Sequence, residues 1–293
     1  MVLATLLSAV VDGLDGALVR VEVDVAPGLP VCHIVGLPDA ALSEARERVR
    51  GAIRNSGYAY PQSRITVNLA PAGRRKFGAA YDLAIAVGIL VASGQLRVGG
   101  PACALLGELS LSGTVEPVPG ILPMVATLRR AGVTRVAVPA LNEAEARLVA
   151  GVGVIAVHGL DDAARVIAGP RGRRAAAASR AAPVAVSGER EAAPERSTLV
   201  PVRRSVDLAE VRGQAMARWG LEVALVGGHS LLLVGPPGAG KTLLAHTIPG
   251  LLPPLDPDEA LEVTVIRSVA GLLVAGAGLE RARPFRAPHH TSS

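Results

Sequence analysis

The sequence predicts an α/β protein made of two units, residues 1–168 and 199–293, joined by a linker over 169–198. Three observations lead there. Period-two hydrophobic runs alternate with period-3.6 runs through the first unit, as in strands interleaved with helices. Residues 169–198 then lose all hydrophobic period and become rich in Ala, Arg, Pro and Glu, a mobile-linker composition. Beyond them an apolar strand-like run, residues 231–234, leads through a glycine-rich turn into another helical run.

The elements follow in order. Val19, Val21, Val23 and Val25 alternate with Arg20, Glu22 and Asp24, which makes a half-buried strand. Pro27 and Gly28 turn the chain into a second strand within LPVCHIVG. Asp39 offers an N-cap, and Leu42, Ala45, Val49, Ala52 and Ile53 share one helical face before Gly57. RITVNLA (64–70) is a strand, and a helix covers about 79–92 before Gly94. CALLGELSLSGTVEPV (103–118) reads as a hairpin turning at Ser112-Gly113. A helix ending near Gly132, strand TRVAVP, a helix capped by Asn142 with Glu145 three residues on, strand VGVIAV and a short helix after Asp161 complete the unit. In the second unit VDLAEVRGQAMARWGLEVALVGG gives a loop and a helix with Ala215, Trp219, Val223 and Val226 on one side. SLLLV reads as a buried strand, and TLLAHTI opens a helix that Pro249 breaks.

Half of the 293 residues are hydrophobic and 19% are charged, which excludes a disordered chain. Only 2% are aromatic, so the cores are aliphatic. A net charge of +5 is compatible with a polyanionic partner without requiring one. Cys32 and Cys103 lie in apolar runs without metal-ligand spacing, the pattern of small core residues in a reducing cytosol. The start lacks a basic signal region, and the longest apolar run, 83–92, is short of the ~20 residues that cross a bilayer. The expectation is a cytoplasmic protein with no membrane partner.

Residues Gly235, Pro236, Pro237, Gly238, Ala239, Gly240, Lys241 and Thr242 match G-x-x-x-x-G-K-[ST]. The glycines let main-chain N–H groups converge on phosphate oxygens, and the helix that follows adds its positive end. Lys241 can reach β- and γ-phosphates, and the Thr242 hydroxyl can ligate Mg²⁺. ATP with Mg²⁺ is the expected cofactor. Hydrolysis also needs an apolar strand ending in Asp-Glu and an arginine finger. Prolines interrupt LLPPLDPDEA, GLLVAGAGLE has no Asp, and no finger is assignable, so no catalytic residue is assigned in 1–293. The expectation is a fragment of a longer protein that binds the nucleotide.

VRGQ, GGHSLLLVGPPGAGKTLLAHTIPGLLPPLDPDEALEVTVIRSVAGL and RPFRAPHH resemble magnesium-chelatase-like AAA+ proteins of the ComM/YifB type. GLPDAALSEARERVRGAIRNSG, ITVNLAPAG, KFGAAYDLAIAVGILVASGQL and GELSLSGTVEPVPGILP resemble their N-terminal domain. The resemblance implies a Lon-protease-like (ribosomal-protein-S5-like) first domain, then the beginning of a P-loop AAA+ domain in which Asp207 to Gln214, with Gly213 and Gln214 at its end, stands where the loop around the adenine is placed; taken alone, the stretch reads as an ordinary lead-in to a helix. It places Ala80 at the serine and Leu122 at the lysine of the Lon-type dyad, and Ser93 and Lys76 do not match that pattern. Neither Ala nor Leu can perform the chemistry, so no protease is expected. The resemblance also implies a homo-hexameric ATPase that moves DNA strands, with branch migration in natural transformation as its setting. Arg74, Arg75 and Lys76 beside Phe77 are candidate DNA contacts, a solvated turn being the alternative. His289-His290 is unsuited to chelating one ion if it lies on a strand, since neighbours point to opposite faces. Two alternatives to the DNA motor stand: a chelatase-type motor inserting Mg²⁺ into a porphyrin, and an ATP-binding scaffold without turnover.

Overall fold

The structure, a computed structural model, describes residues 3–36, 40–71, 78–178, 206–274 and 278–286. It is mixed α/β and divides into two compact units: Met1–Gly188 with Val265–Gly278, and Glu189–Thr264 with Leu279–Ser293.

In the first unit β1 (Ala4–Asp12), β2 (Asp15–Ala26), β4 (Arg64–Ala70) and β3 (Val31–Val35) form a sheet in the order β1-β2-β4-β3. The first three run antiparallel and β3 runs parallel to β4, so α1 (Ala40–Asn55) is the crossover between them. The alternation read at 19–25 is that of β2, with Val19, Val21 and Val23 buried and Arg20 exposed. The sequence reading missed β1. Its residues Ala4, Leu6 and Val10 join one apolar cluster while Leu7, Ala9 and Val11 face another, so it has no wet face to reveal a period of two.

Helix α2 (Asp82–Ala92) is buried at every residue but Val91 and packs on β1, β2, α1 and α5 (Leu160–Ala178). A Cβ on Gly88 would stand 2.6 Å from Val23 Cγ2, so the close approach of helix and sheet requires glycine there. At its N-terminus the buried Asp82 accepts from Arg48 Nε at 2.7 Å and Nη2 at 3.3 Å, and from the Leu109 N–H at 3.4 Å. Burial pushes the Asp82 carboxyl up to about 6, against the opposing pull of the Arg48 guanidinium.

A second sheet is parallel throughout, in the order β5 (Ala104–Leu105), β8 (Arg135–Pro139), β9 (Gly153–Val157). The predicted 103–118 hairpin is therefore corrected at its first strand. Only β6 (Glu108–Leu109) and β7 (Val115–Glu116) pair across the Ser112-Gly113 turn, whereas fully buried β5 joins β8. Helix α3 (Ile121–Arg130) covers the face of β1 and β2 opposite α2. The predicted cap by Asn142 does not form at α4 (Glu143–Ala146). Asn142 Oδ1 instead accepts from the Val118 N–H at 2.9 Å, and its Nδ2 donates to the Val118 carbonyl at 3.1 Å. Glu145 takes the Leu122 N–H at 3.1 Å. The buried peptide group of Val118 and the open first turn of α3 outcompete the end of α4 for these side chains. Helix α5 departs from helical geometry at Gly169 (φ 59°) and resumes to Ala178.

The second unit contains α6 (Ala215–Gly227), α7 (Lys241–Leu251) and the start of α8 (Pro257–Val269), and a small core of Leu208, Val211, Leu221 and Leu244 joins α6 and α7 to the 208–211 segment. Three expectations are corrected here. On α6 the predicted face is the exposed one, Trp219 at 62% and Val226 at 92%, while Leu221 and Ala224 are buried. The helix is apolar nearly all round, so its neighbours and not its period choose the buried side. Residues 231–234 form no strand. No described residue pairs with them, and Leu232 and Val234 are 85% exposed; an apolar run without ladder partners is not a strand. Pro249 lies inside α7, whose last turn continues to Leu251. No described helix is long and apolar enough to cross a membrane.

Candidate nucleotide-binding site

The glycine-rich loop lies between residues 231–234 and α7. Gly238 (φ 80°) and Gly240 (φ 81°) are left-handed, and Gly240 is the N-cap of α7. Open space surrounds both where a Cβ would stand, so a ligand can approach this stretch of backbone. The first amides of α7 have no intrahelical acceptor and carry the positive end of its dipole. Ala239 N–H donates to Pro236 O at 3.3 Å and Leu244 N–H to Gly240 O at 3.0 Å, which fixes the turn on the helix.

Lys241 Nζ donates to the carbonyls of Gly235 at 2.8 Å and Pro236 at 2.7 Å, so the ammonium group folds over the mouth of the loop. The neighbouring Thr242 is exposed. From outside the motif, Gln214 Nε2 donates to Ala239 O at 3.1 Å. Gln214 itself is left-handed (φ 56°, ψ 37°) and follows Gly213 (φ 71°) at the head of α6. The structure thus brings Gln214 onto the loop although twenty-five positions separate it from Ala239. Below, Asp207 caps the short turn Leu208–Glu210 by accepting from Ala209 N–H at 2.9 Å. Arg218 Nη1 reaches Val211 O at 3.4 Å. The spacing of Asp207 and Glu210 is the sequence signal of the cap, whereas the Arg218 contact has none.

The acidic run after α7 serves a helix end. Asp256 Oδ1 accepts from the N–H groups of Asp258 at 2.9 Å and Glu259 at 2.8 Å, and Glu259 also binds Arg283 at 3.1 Å. Phe285 stands against the His246 ring, centroids 4.9 Å apart. In the first unit, Ala80 and Leu122 both lie in one buried apolar cluster, and the Ser93 hydroxyl is held by the Leu90 carbonyl at 3.2 Å. The Cys103 thiol is buried and pushed up to about 11 by that burial. Arg74, Arg75, Lys76, His289 and His290 lie outside the described residues.

Two family models match the chain. One described as subunit ChlI of Mg-chelatase spans residues 21–142, and one described as magnesium chelatase, subunit ChlI, spans 207–293. An uncharacterized protein of Mycobacterium tuberculosis is 45% identical over 296 residues, covering 100% of this chain and 55% of that protein. The uncharacterized protein YifB of Escherichia coli is 41% identical over 285 residues, 96% of this chain and 52% of YifB. The competence protein ComM of Haemophilus influenzae is 36% identical over 294 residues, 100% of this chain and 55% of ComM. The chain spans about half the length of the curated relatives it matches.

Proposed function

This chain belongs to the magnesium-chelatase-like family of ChlI, YifB and ComM, and from that premise we propose that it is the Mg-ATP-binding part of an ATP-driven DNA-remodelling motor. The observation that carries the reading is the Gly235–Thr242 loop on the N-terminus of α7, with the Lys241 ammonium folded over it and Gln214 bonded to its floor. The donor set suits a triphosphate: main-chain amides, one ammonium and one hydroxyl, with no carboxylate within the loop to repel it. In binding, Lys241 exchanges the two carbonyls for phosphate oxygens, and Thr242 would hold Mg²⁺, which neutralises phosphate charge. Gly213 and Gln214 would line the adenine side.

The first unit takes the role of a Lon-like lobe that has lost proteolysis. Its dyad positions hold Ala80 and Leu122, both inside an apolar cluster, which leaves assembly of a homo-hexamer or contact with DNA as its task. DNA as the partner is supported by the likeness to a competence protein and by the net charge of +5. The test uses the full-length protein. A fluorescent ATP analogue should bind the wild type and fail to bind Lys241→Ala, and branched DNA should stimulate ATP turnover. The chelatase descriptions of both family models favour a second reading, insertion of Mg²⁺ into a porphyrin. Stimulation by a porphyrin in place of DNA would establish that reading.

A further inference from the structure

Arg46, Arg50 and Arg54 recur at every fourth residue of α1 and leave it on one side, roughly 6 Å apart along the axis. The guanidinium carbons of Arg50 and Arg54 each lie 5.9 Å from the centroid of the Tyr60 ring. Among the described residues neither of these two makes an ion pair. Arg48, between them and the core, is by contrast neutralised by Asp82. One side of α1 thus holds its arginine by a carboxylate, and the other holds two on the face of an aromatic ring. The charge of Arg50 and Arg54 is positioned, and among the described residues no carboxylate pairs with it.

Beside them a cleft of about 290 Å³ opens between β3 and α1, its lining including Cys32, Arg46, Glu47, Arg50, Tyr60 and Gln62. Glu47 is the single carboxylate among the described residues that line it. The Cys32 thiol, hydrogen-bonded to Tyr60, is held above its ordinary range by burial, so it supplies no nucleophile. The chemistry left to the cleft is recognition of an anion by guanidinium groups next to a half-buried ring. One phosphate needs only one or two guanidiniums. A row at one-turn intervals matches an anion that repeats, and an adjoining ring matches a planar group carried between the charges.

We propose that this cleft and the arginine row bind a single-stranded nucleic-acid segment, with phosphates on Arg46, Arg50 and Arg54 and a base against Tyr60. The choice of nucleic acid among repeating anions rests on the DNA-directed reading above; the anion chemistry of the cleft does not. The experiment titrates the full chain with a fluorescein-labelled thymidine oligonucleotide of about 16 nucleotides, read by anisotropy across a salt series. R50A/R54A should weaken binding about tenfold or more. It should also make the log–log salt slope shallower by about 1.4, since two phosphate contacts are lost. Tyr60→Leu should weaken binding several-fold and Tyr60→Phe should not. R50A/R54A and Tyr60→Phe should keep their melting temperatures, and every variant its affinity for a fluorescent ATP analogue. Equal oligonucleotide binding by the wild type and R50A/R54A would overturn the site while leaving the DNA reading intact. Failure of the wild type to bind the oligonucleotide, with tripolyphosphate bound in an Arg50- and Arg54-dependent way, would overturn the strand and leave a plain anion site; the DNA reading falls only if branched DNA also fails to stimulate ATP turnover.

Discussion

The side-chain amide of Gln214 donates to the Ala239 carbonyl at 3.1 Å, so the segment entering α6 is fastened to the turn that precedes α7. Gln214 holds this bond from a left-handed backbone (φ 56°), a conformation that costs a non-glycine residue about 1 kcal/mol or more. Strain kept at a residue touching a candidate phosphate loop is what a positioning role requires.

Gln214→Ala removes the bond and keeps the strain. Affinity for a fluorescent ATP analogue should fall about three- to tenfold, the worth of one hydrogen bond. Gln214→Gly relieves the backbone and should melt at or above the wild-type temperature while losing the same affinity. Unchanged affinity in both variants would mean that the loop holds its shape unaided.

Thr242→Val replaces the exposed hydroxyl after Lys241 with a methyl group of similar size. Nucleotide affinity measured in EDTA should be unaltered, and the increase produced by Mg²⁺ should be lost. A Mg²⁺ response equal to that of the wild type would remove Thr242 from the metal's shell.

The pair Arg48 and Asp82 predicts a pH dependence. Asp82 rises from 3.8 to about 6 on folding, so its contribution to stability is full below about pH 4 and is lost as pH rises through 6. Arg48→Ala takes away the group that opposes this rise. Stability should drop by about 3–5 kcal/mol at pH 8, where a lone buried carboxyl must either stay charged without a partner or take up a scarce proton, and by much less at pH 5. Equal losses in denaturant titrations at the two pH values would reduce Arg48 to a packing role.

Asn142→Ala should destabilise the first unit by about 2–3 kcal/mol, because the N–H and carbonyl of Val118 lose their bonds to its side chain. Asn142→Asp still accepts from the N–H but loses the bonds given to the Val118 carbonyl and to Glu145, and it sets a buried carboxylate against both, so it should cost at least as much. The order of the two melting temperatures checks the assignment.

The sequence was most legible where an element has one wet and one dry side. β2 shows it through Val19, Val21 and Val23 against Arg20, and α1 through Ala45, Val49, Ala52 and Ile53. β1 stayed hidden because both of its faces are covered, and α6 was turned the wrong way because Trp219 and Val226 are as apolar as Leu221. Composition alone suggested a strand at 231–234, but pairing is a property of two segments. The glycine-rich loop was readable because left-handed turns at Gly238 and Gly240 demand glycine at fixed spacing. Tyr60 with Arg50 and Arg54 was not. The ring precedes β4, the arginines lie on α1, and only the crossover from β3 to β4 brings them together.

Helix α2 is dry at every residue but Val91, touching sheet, α1 and α5 alike. An apolar rod of this kind has no stable home in water and none on a half-built sheet, so it can settle only once its last neighbour has arrived. The lobe should therefore mature late and all at once. A chain still lacking α5 would offer that rod to chaperones, or to other unfinished copies of itself.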